Sequence, residues 1–308
     1  MRKSYLGSIV VVVVLLTSSV LTRAQTAPAR QSNQEATSPV DRTFPIHADG
    51  WGRLVPEPPK NQNPAPAPQH SLSGIWEPAN GWRDGVQAYG AKTNPSDGKH
   101  VLPMTPLGEK MFKANKPSQG ITSVGARDTN DPANIFCDRL GMPRVELYNF
   151  RGLQIVQTEE QVLMLYQYDQ AWRSVWTDGR DLPKDLDSLE PRWYGYSVGK
   201  WVDDATLVVE TVGMDERTWI DNGGRPHSSE LRVEERFHRV NHDILELTVT
   251  INDPKIYTKP WLALDNFPLR LQPAGFDIRE MICSPSELAD YLKQVAKPEG
   301  GPSDGFKK

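Results

Sequence analysis

The richest set of chemistry-bearing residues lies in one stretch, Asp215-Glu216-Arg217-Thr218-Trp219-Ile220-Asp221-Asn222-Gly223-Gly224-Arg225-Pro226-His227-Ser228. Histidine is the side chain whose ordinary titration falls near neutrality, so His227 beside Asp215, Glu216 or Asp221 could carry a proton to and from a substrate. Arg217 could hold an anionic group and Trp219 could stack on a ring. The same letters also spell a plain surface loop, with a tight turn at Asn222-Gly223 and charges that pair with one another. A second stretch, Trp176-Thr177-Asp178-Gly179-Arg180, offers a carboxylate, a guanidinium and an aromatic ring. A third offers Asp253, Lys255 and Tyr257. Asp178 therefore joins His227, Asp215 and Glu216 as a candidate acid/base group. Trp176, Arg180, Trp193, Tyr196, Arg217 and Trp219 are candidate ligand contacts. Trp172, Tyr194 and Trp201 add to this concentration of aromatics, which serves equally as the bulky lining of a core.

Other chemistries lack their residues. The histidines at 47, 70, 100, 227, 238 and 242 include no helix-spaced ligand pair; His238 and His242 are four apart but straddle a strand and its turn, where that spacing does not converge. No metal site is expected. There is no Gly-x-Ser-x-Gly, phosphate loop or dinucleotide fingerprint, so no cofactor is implied, and Ser228 beside His227 is adjacency rather than triad geometry. A formal net charge of -4 with no basic stripe argues against nucleic acid and against a polybasic membrane patch.

The elements that must position these residues are strands. Period-two alternation recurs over 153–158, 162–169, 172–177, 194–202, 206–213, 230–240, 244–252 and 259–271. In the seventh, Leu245, Leu247, Val249 and Ile251 share one face while Glu246, Thr248 and Thr250 share the other. In the sixth, Leu231, Val233 and Phe237 share a face with Glu235, opposite Arg232, Glu234, Arg236 and His238, a charged face expected in solvent. The short spacings imply antiparallel neighbours, so the fold expected is mainly β: an up-and-down meander of about eight strands, closed as a barrel, with accessory helices. Strict alternation would gather the loops 178–193, 214–229 and 253–258 with the turn 159–161 at one rim, and leave the tight connections at 170–171, 203–205 and 241–243 at the other. A helix is expected from Thr105-Pro106 to Lys116, and another over about 285–296 after Ser284-Pro285.

The ends of the chain read differently. Met1-Arg2-Lys3, the apolar run Ile9 to Leu16 and small residues up to Thr22-Arg23-Ala24 predict a signal peptide over 1–24 cleaved after Ala24, and hence a periplasmic or secreted protein with no stable membrane insertion afterwards. The Pro-, Ala- and Gln-rich segment 25–69 is expected as a disordered tether, 70–297 as one β-rich domain holding the meander 153–271, and 298–308 as a disordered tail. In an oxidising compartment the only two cysteines, Cys137 and Cys283, are expected to pair.

Ser73-Gly74-Ile75-Trp76 resembles the Gly-x-Trp motif that opens lipocalin barrels, and the meander is similar in strand count. That resemblance implies a calycin-type barrel around an apolar ligand, with an arginine packed over Trp76, for which Arg270 and Arg279 are candidates. The segments 192–201 and 215–219 resemble a group of secreted bacterial proteins of unassigned function. The function these readings favour is an exported barrel binding a small, partly apolar or aromatic molecule at its loop-rich end. The alternatives are a hydrolase or isomerase working through His227 and its carboxylates, and a cell-envelope interaction module.

Overall fold

The computed structural model describes residues 48–55, 63–79, 102–120, 122–147 and 151–296. The signal peptide and the tail expected at the two termini lie outside them. Nine strands close into a barrel in chain order: β1 (Gly74–Pro78), β2 (Leu153–Gln157), β3 (Gln161–Tyr166), β4 (Trp172–Trp176), β5 (Tyr196–Asp203), β6 (Thr206–Val212), β7 (Arg232–Arg239), β8 (Ile244–Asn252) and β9 (Trp261–Leu271). The expected meander forms β2 to β9. The motif around Trp76 supplies the ninth strand, which pairs with β2 on one side and β9 on the other and leaves no open edge.

Alternation explains the core. In β8, Leu245, Leu247, Val249 and Ile251 are buried, and in β7 Val233, Glu235, Phe237 and Arg239 point inward while Arg232, Glu234 and Arg236 face solvent. Each fully buried aliphatic contributes roughly 1.5–3 kcal/mol relative to exposure.

One pairing departs from the expected up-and-down order. Every neighbouring pair is antiparallel except β4 and β5, which run parallel through Val175↔Ser197 and Trp176↔Val198. The physical reason is parity: around a closed ring of nine strands, antiparallel order cannot hold at every pair. The connection 177–195 absorbs the mismatch by running the length of the barrel. It leaves β4 beside the β2–β3 turn, where Thr177 N–H donates to Glu160 O at 2.8 Å, and it arrives at the opposite end, where Arg192 N–H donates to Gly213 O at 3.0 Å. The distribution of loops therefore changes. The upper end carries the connections 167–171, 213–231 and 253–260 and the long insertion between β1 and β2. The base carries 158–160, 204–205 and 240–243.

The base is sealed. Trp76 is fully buried there, donating Nε1–H to Leu72 O at 2.8 Å, and the guanidinium lying over its ring, 4.9 Å from the centroid, belongs to Arg239 rather than to Arg270 or Arg279. Arg239 also donates to Ser71 O and His242 O, both at 2.7 Å. Two stretches of the expected tether are held to the domain: His242 N–H donates to Ala65 O at 2.8 Å, Gln69 donates to Asp204, and Gly50 N–H donates to Asp277 O at 2.8 Å.

The described parts of the insertion, 102–120 and 122–147, roof the upper end. They contain α1 (Pro106–Ala114), capped by the Thr105 hydroxyl as expected, α2 (Pro132–Phe136) and α3 (Arg144–Leu147), whose four residues are all buried. The expected disulfide is present between Cys137, at the end of α2, and Cys283, with Cα atoms 5.5 Å apart. The C-terminal helix α4 (Pro285–Tyr291), followed by a further turn to Ala296, buries none of its own seven residues and covers no edge, since the barrel has none.

Candidate functional site

The crossing connection separates the candidate residues. Trp176, Asp178 and Arg180 stay near the base, where Arg180 lies 3.6 Å from the Trp176 ring centroid and its Nη2 bonds Asp178 Oδ2 at 2.7 Å. The Arg180 hydrogen bonds hold the Asp178 carboxyl below its ordinary value. Trp193, Tyr196, Arg217, Trp219 and His227 are at the upper end. Arg217 is stacked 4.5 Å from the Trp193 centroid and bonds Asp215, whose carboxyl it holds low. Tyr196 donates its hydroxyl to Glu190 O at 2.9 Å under the Arg192 guanidinium.

The 213–231 loop is not a solvated turn. Residues 218–228 are buried throughout, and most of their polar side chains find partners inside. Asp221 bonds Arg225 Nη1 at 2.6 Å and accepts from Gly223 N–H at 2.9 Å; Asn222 donates to Gln119 on the insertion; Tyr257 donates to Pro226 O at 2.9 Å. Asp253 accepts from Ser228 N–H at 2.6 Å and from its hydroxyl at 2.8 Å, and Glu216 accepts from Ser229 N–H.

His227 is buried with them. Burial pushes its pKa down, favouring the neutral ring, which fits Nδ1–H donating to Ser228 O at 3.1 Å while Nε2 meets the Thr218 hydroxyl at 2.7 Å. Its ring nitrogens are bonded to a hydroxyl and a carbonyl, not to a carboxylate. Asp215, Glu216 and Asp253 act on it only through their charge.

A different group of polar residues lies inside the barrel beneath the roof. Glu235 from β7 forms a buried ion pair with Arg173 Nη2 from β4. Glu146 from α3 reaches down into the same space: its Oε1 is 3.6 Å from Arg173 Nη2 and accepts the Tyr166 hydroxyl of β3 at 2.7 Å. Arg173 Nη1 lies 3.4 Å from the Thr211 hydroxyl, which meets Ser197 at 2.9 Å. Burial, then the adjacent Glu235 charge, push the Glu146 pKa well up, against the opposing pull of Arg173 and Tyr166. Burial likewise raises Tyr166 and keeps it a donor. Burial alone would lower Arg173, but the Glu235, Tyr166 and Glu146 interactions outweigh it and keep the guanidinium charged.

Taken as a carboxylate, Glu146 has no donor for Oε2, and Glu235 Oε2 has none either. The two carboxyls are nonetheless within hydrogen-bonding reach of each other. A proton on Glu146 supplies the missing donor and reduces the local charge to one guanidinium against one carboxylate.

Sequence reasoning passed over Arg173, Glu146, Tyr166 and Glu235 as site residues. The signal for two members was present: Glu235 shares the apolar face of its strand, and Arg173 shares a face with Val175. Glu146 lies in a segment with no strand period and gave none. Among the described residues no group of three or more His, Cys, Asp or Glu converges as metal ligands, and no helix is long and apolar enough to cross a membrane. Compared with models of known families, with curated proteins and with solved structures, the chain matches none.

Proposed function

We propose that this is an exported barrel that binds a small, partly apolar or aromatic molecule at its upper end. The observation that carries the reading is the enclosed polar group itself: Arg173, Glu235 and Tyr166 project from three strands into a largely apolar interior, and the group that meets them, Glu146, comes from the roof rather than from the wall. Polar groups placed sparsely in an apolar lining are what orient a small ligand. The base is sealed by Trp76 and Arg239, so entry belongs to the roofed end, where Trp219, Trp193 and Arg217 lie. Export is supported by the signal-like start of the sequence and by the disulfide. The hydrolase or isomerase alternative loses its main geometric support, because His227 is hydrogen-bonded to no carboxylate.

Native mass spectrometry of the mature protein from its own host, before and after denaturation, tests the reading. A small molecule released on unfolding is expected, and its occupancy should fall in Arg173→Met. Protein that is empty from the host and takes up nothing from an extract of small apolar and aromatic compounds overturns it.

A further inference from the structure

The roof is fastened to the barrel by a contact that needs a proton. Glu146 is buried completely, and the titratable and charged groups facing it come from three strands: Tyr166 of β3, Arg173 of β4 and Glu235 of β7. The hydroxyls of Thr211 on β6 and Ser197 on β5 complete the polar wall. On its own segment, Arg144 is paired with Asp131 through bonds of 2.8 and 2.6 Å, and the charges that act on Glu146 are those of Glu235 and Arg173. One guanidinium therefore serves two carboxyls. With a proton between them the charges balance and one carboxyl donates to the other. Without it, two like charges meet in a site shielded from water, and each leaves an oxygen with no donor.

The difference between the two carboxyls is mechanical. Glu235 is fixed in a strand paired on both sides, to β6 and β8, whereas Glu146 sits on a four-residue helix in the insertion. The segment 138–147 is also held by Arg139, which bonds Asp169 in the 167–171 connection, by Met142 N–H donating to Trp193 O at 3.0 Å and by Gly141 against Thr218, and it buries Leu140, Met142, Val145 and Leu147 in the core. Relief of the repulsion falls on Glu146, the carboxyl outside the strand ladder.

We propose that Glu146, Glu235 and Arg173 form a proton-binding site that latches the roof segment 138–147 over the barrel: with one proton held between the carboxyls the closed state is favoured, and loss of that proton shifts the segment towards opening of the upper end. The cysteine bridge at 137 hinges the motion by keeping one end of the segment attached. The latch does not rest on a ligand being present, and its test reads the roof alone.

The sign is fixed by linkage. A carboxyl that holds its proton more tightly in the closed state than in the open one favours closure at low pH. That preference falls tenfold per pH unit from the ordinary carboxylate range up to the raised value of the closed state.

The experiment is hydrogen exchange on the full mature chain across that range, with protection factors normalised for the intrinsic pH dependence of exchange. Amides of 140–147 are expected to lose protection about tenfold per pH unit in the wild type, while amides of β8 hold steady. Glu146→Gln keeps an acceptor and a donor without a titrating proton and should flatten the dependence. Glu235→Gln, which removes the neighbouring charge, should flatten it too and covers the case in which the first variant fails to fold. Protection in 140–147 that does not vary with pH in the wild type, or that varies equally in both variants, overturns the proposal.

Discussion

Arg173 is the residue on which the interior depends most directly. It answers Glu235 and Glu146 together inside the barrel, and removing it leaves buried acid with no counter-charge. Arg173→Met is therefore expected to lower the unfolding free energy by about 3–5 kcal/mol at neutral pH, the scale of breaking a buried pair from one side. Exchanging Arg173 and Glu235 together for Met and Leu should cost much less, since no charge is then left unpaired. Urea denaturation of the three proteins checks this, and a single variant as stable as wild type would mean that the carboxyls reach water. Half of this arrangement was legible in the sequence. Glu235 on the face of Val233 and Phe237 is a charge where alternation demands an apolar residue, and such a charge needs an inward partner. What could not be read was which cation answers it, because Arg173 is 62 positions away and pairing across a barrel is set by closure, not by local pattern. His227 shows the reverse case. Its loop looked chemical because of its letters, and burial turned those letters into structural partners for one another.

At the scale of elements, the strands were readable and their directions were not. Period-two alternation located β2 to β9 because each has a buried face. The crossing of 177–195 carries no such signal, and only the parity of the closed ring demands it. That crossing moves Trp176, Asp178 and Arg180 away from the upper end, so their exchange should leave ligand binding there unchanged. At Gly141 the roof fits closely against the barrel. Gly141 adopts φ of +71°, and a Cβ there would lie 2.6 Å from Thr218 Cγ2 and 2.7 Å from Trp193 O. Neither the left-handed backbone nor the backbone carbonyl can yield cheaply. Gly141→Ala is expected to cost about 1–3 kcal/mol and to loosen 138–147 first. It should appear as a lower thermal midpoint together with greater quenching of Trp219 by acrylamide, assigned by difference against Trp219→Phe. A lower midpoint with Trp219 still shielded would place the strain elsewhere.

For the whole molecule, two buried groups bend the pH dependence of stability in opposite directions. The ring of His227 is held neutral by burial, so its folded pKa lies below the unfolded one. Its contribution is complete above the ordinary histidine value of about 6.5 and is lost as pH falls towards the depressed value. Glu146 is the opposite. Its folded pKa lies above the unfolded one, so its contribution is complete at acid pH and is lost as pH rises from the ordinary carboxylate range towards the raised value. Each changes stability by up to about 1.4 kcal/mol per pH unit where its proton is bound in one state only. Where the two ranges overlap, above the ordinary carboxylate value of about 4.5 and below the ordinary histidine value of about 6.5, the slopes oppose each other, so the wild-type urea midpoint should change little there. The carboxyls of Asp178 and Asp215, held low by their arginines, weaken the fold only below that window. Single variants should separate the two terms. Glu146→Gln leaves the histidine term alone, so its midpoint rises with pH across the window, whereas His227→Gln leaves the carboxyl term alone and its midpoint falls. The double variant should return to a flat line, because the two sites lie on different elements and bond different partners. Two single variants with slopes of the same sign would show that the interior carboxyl does not hold its proton, and the flat wild-type profile would then need another source.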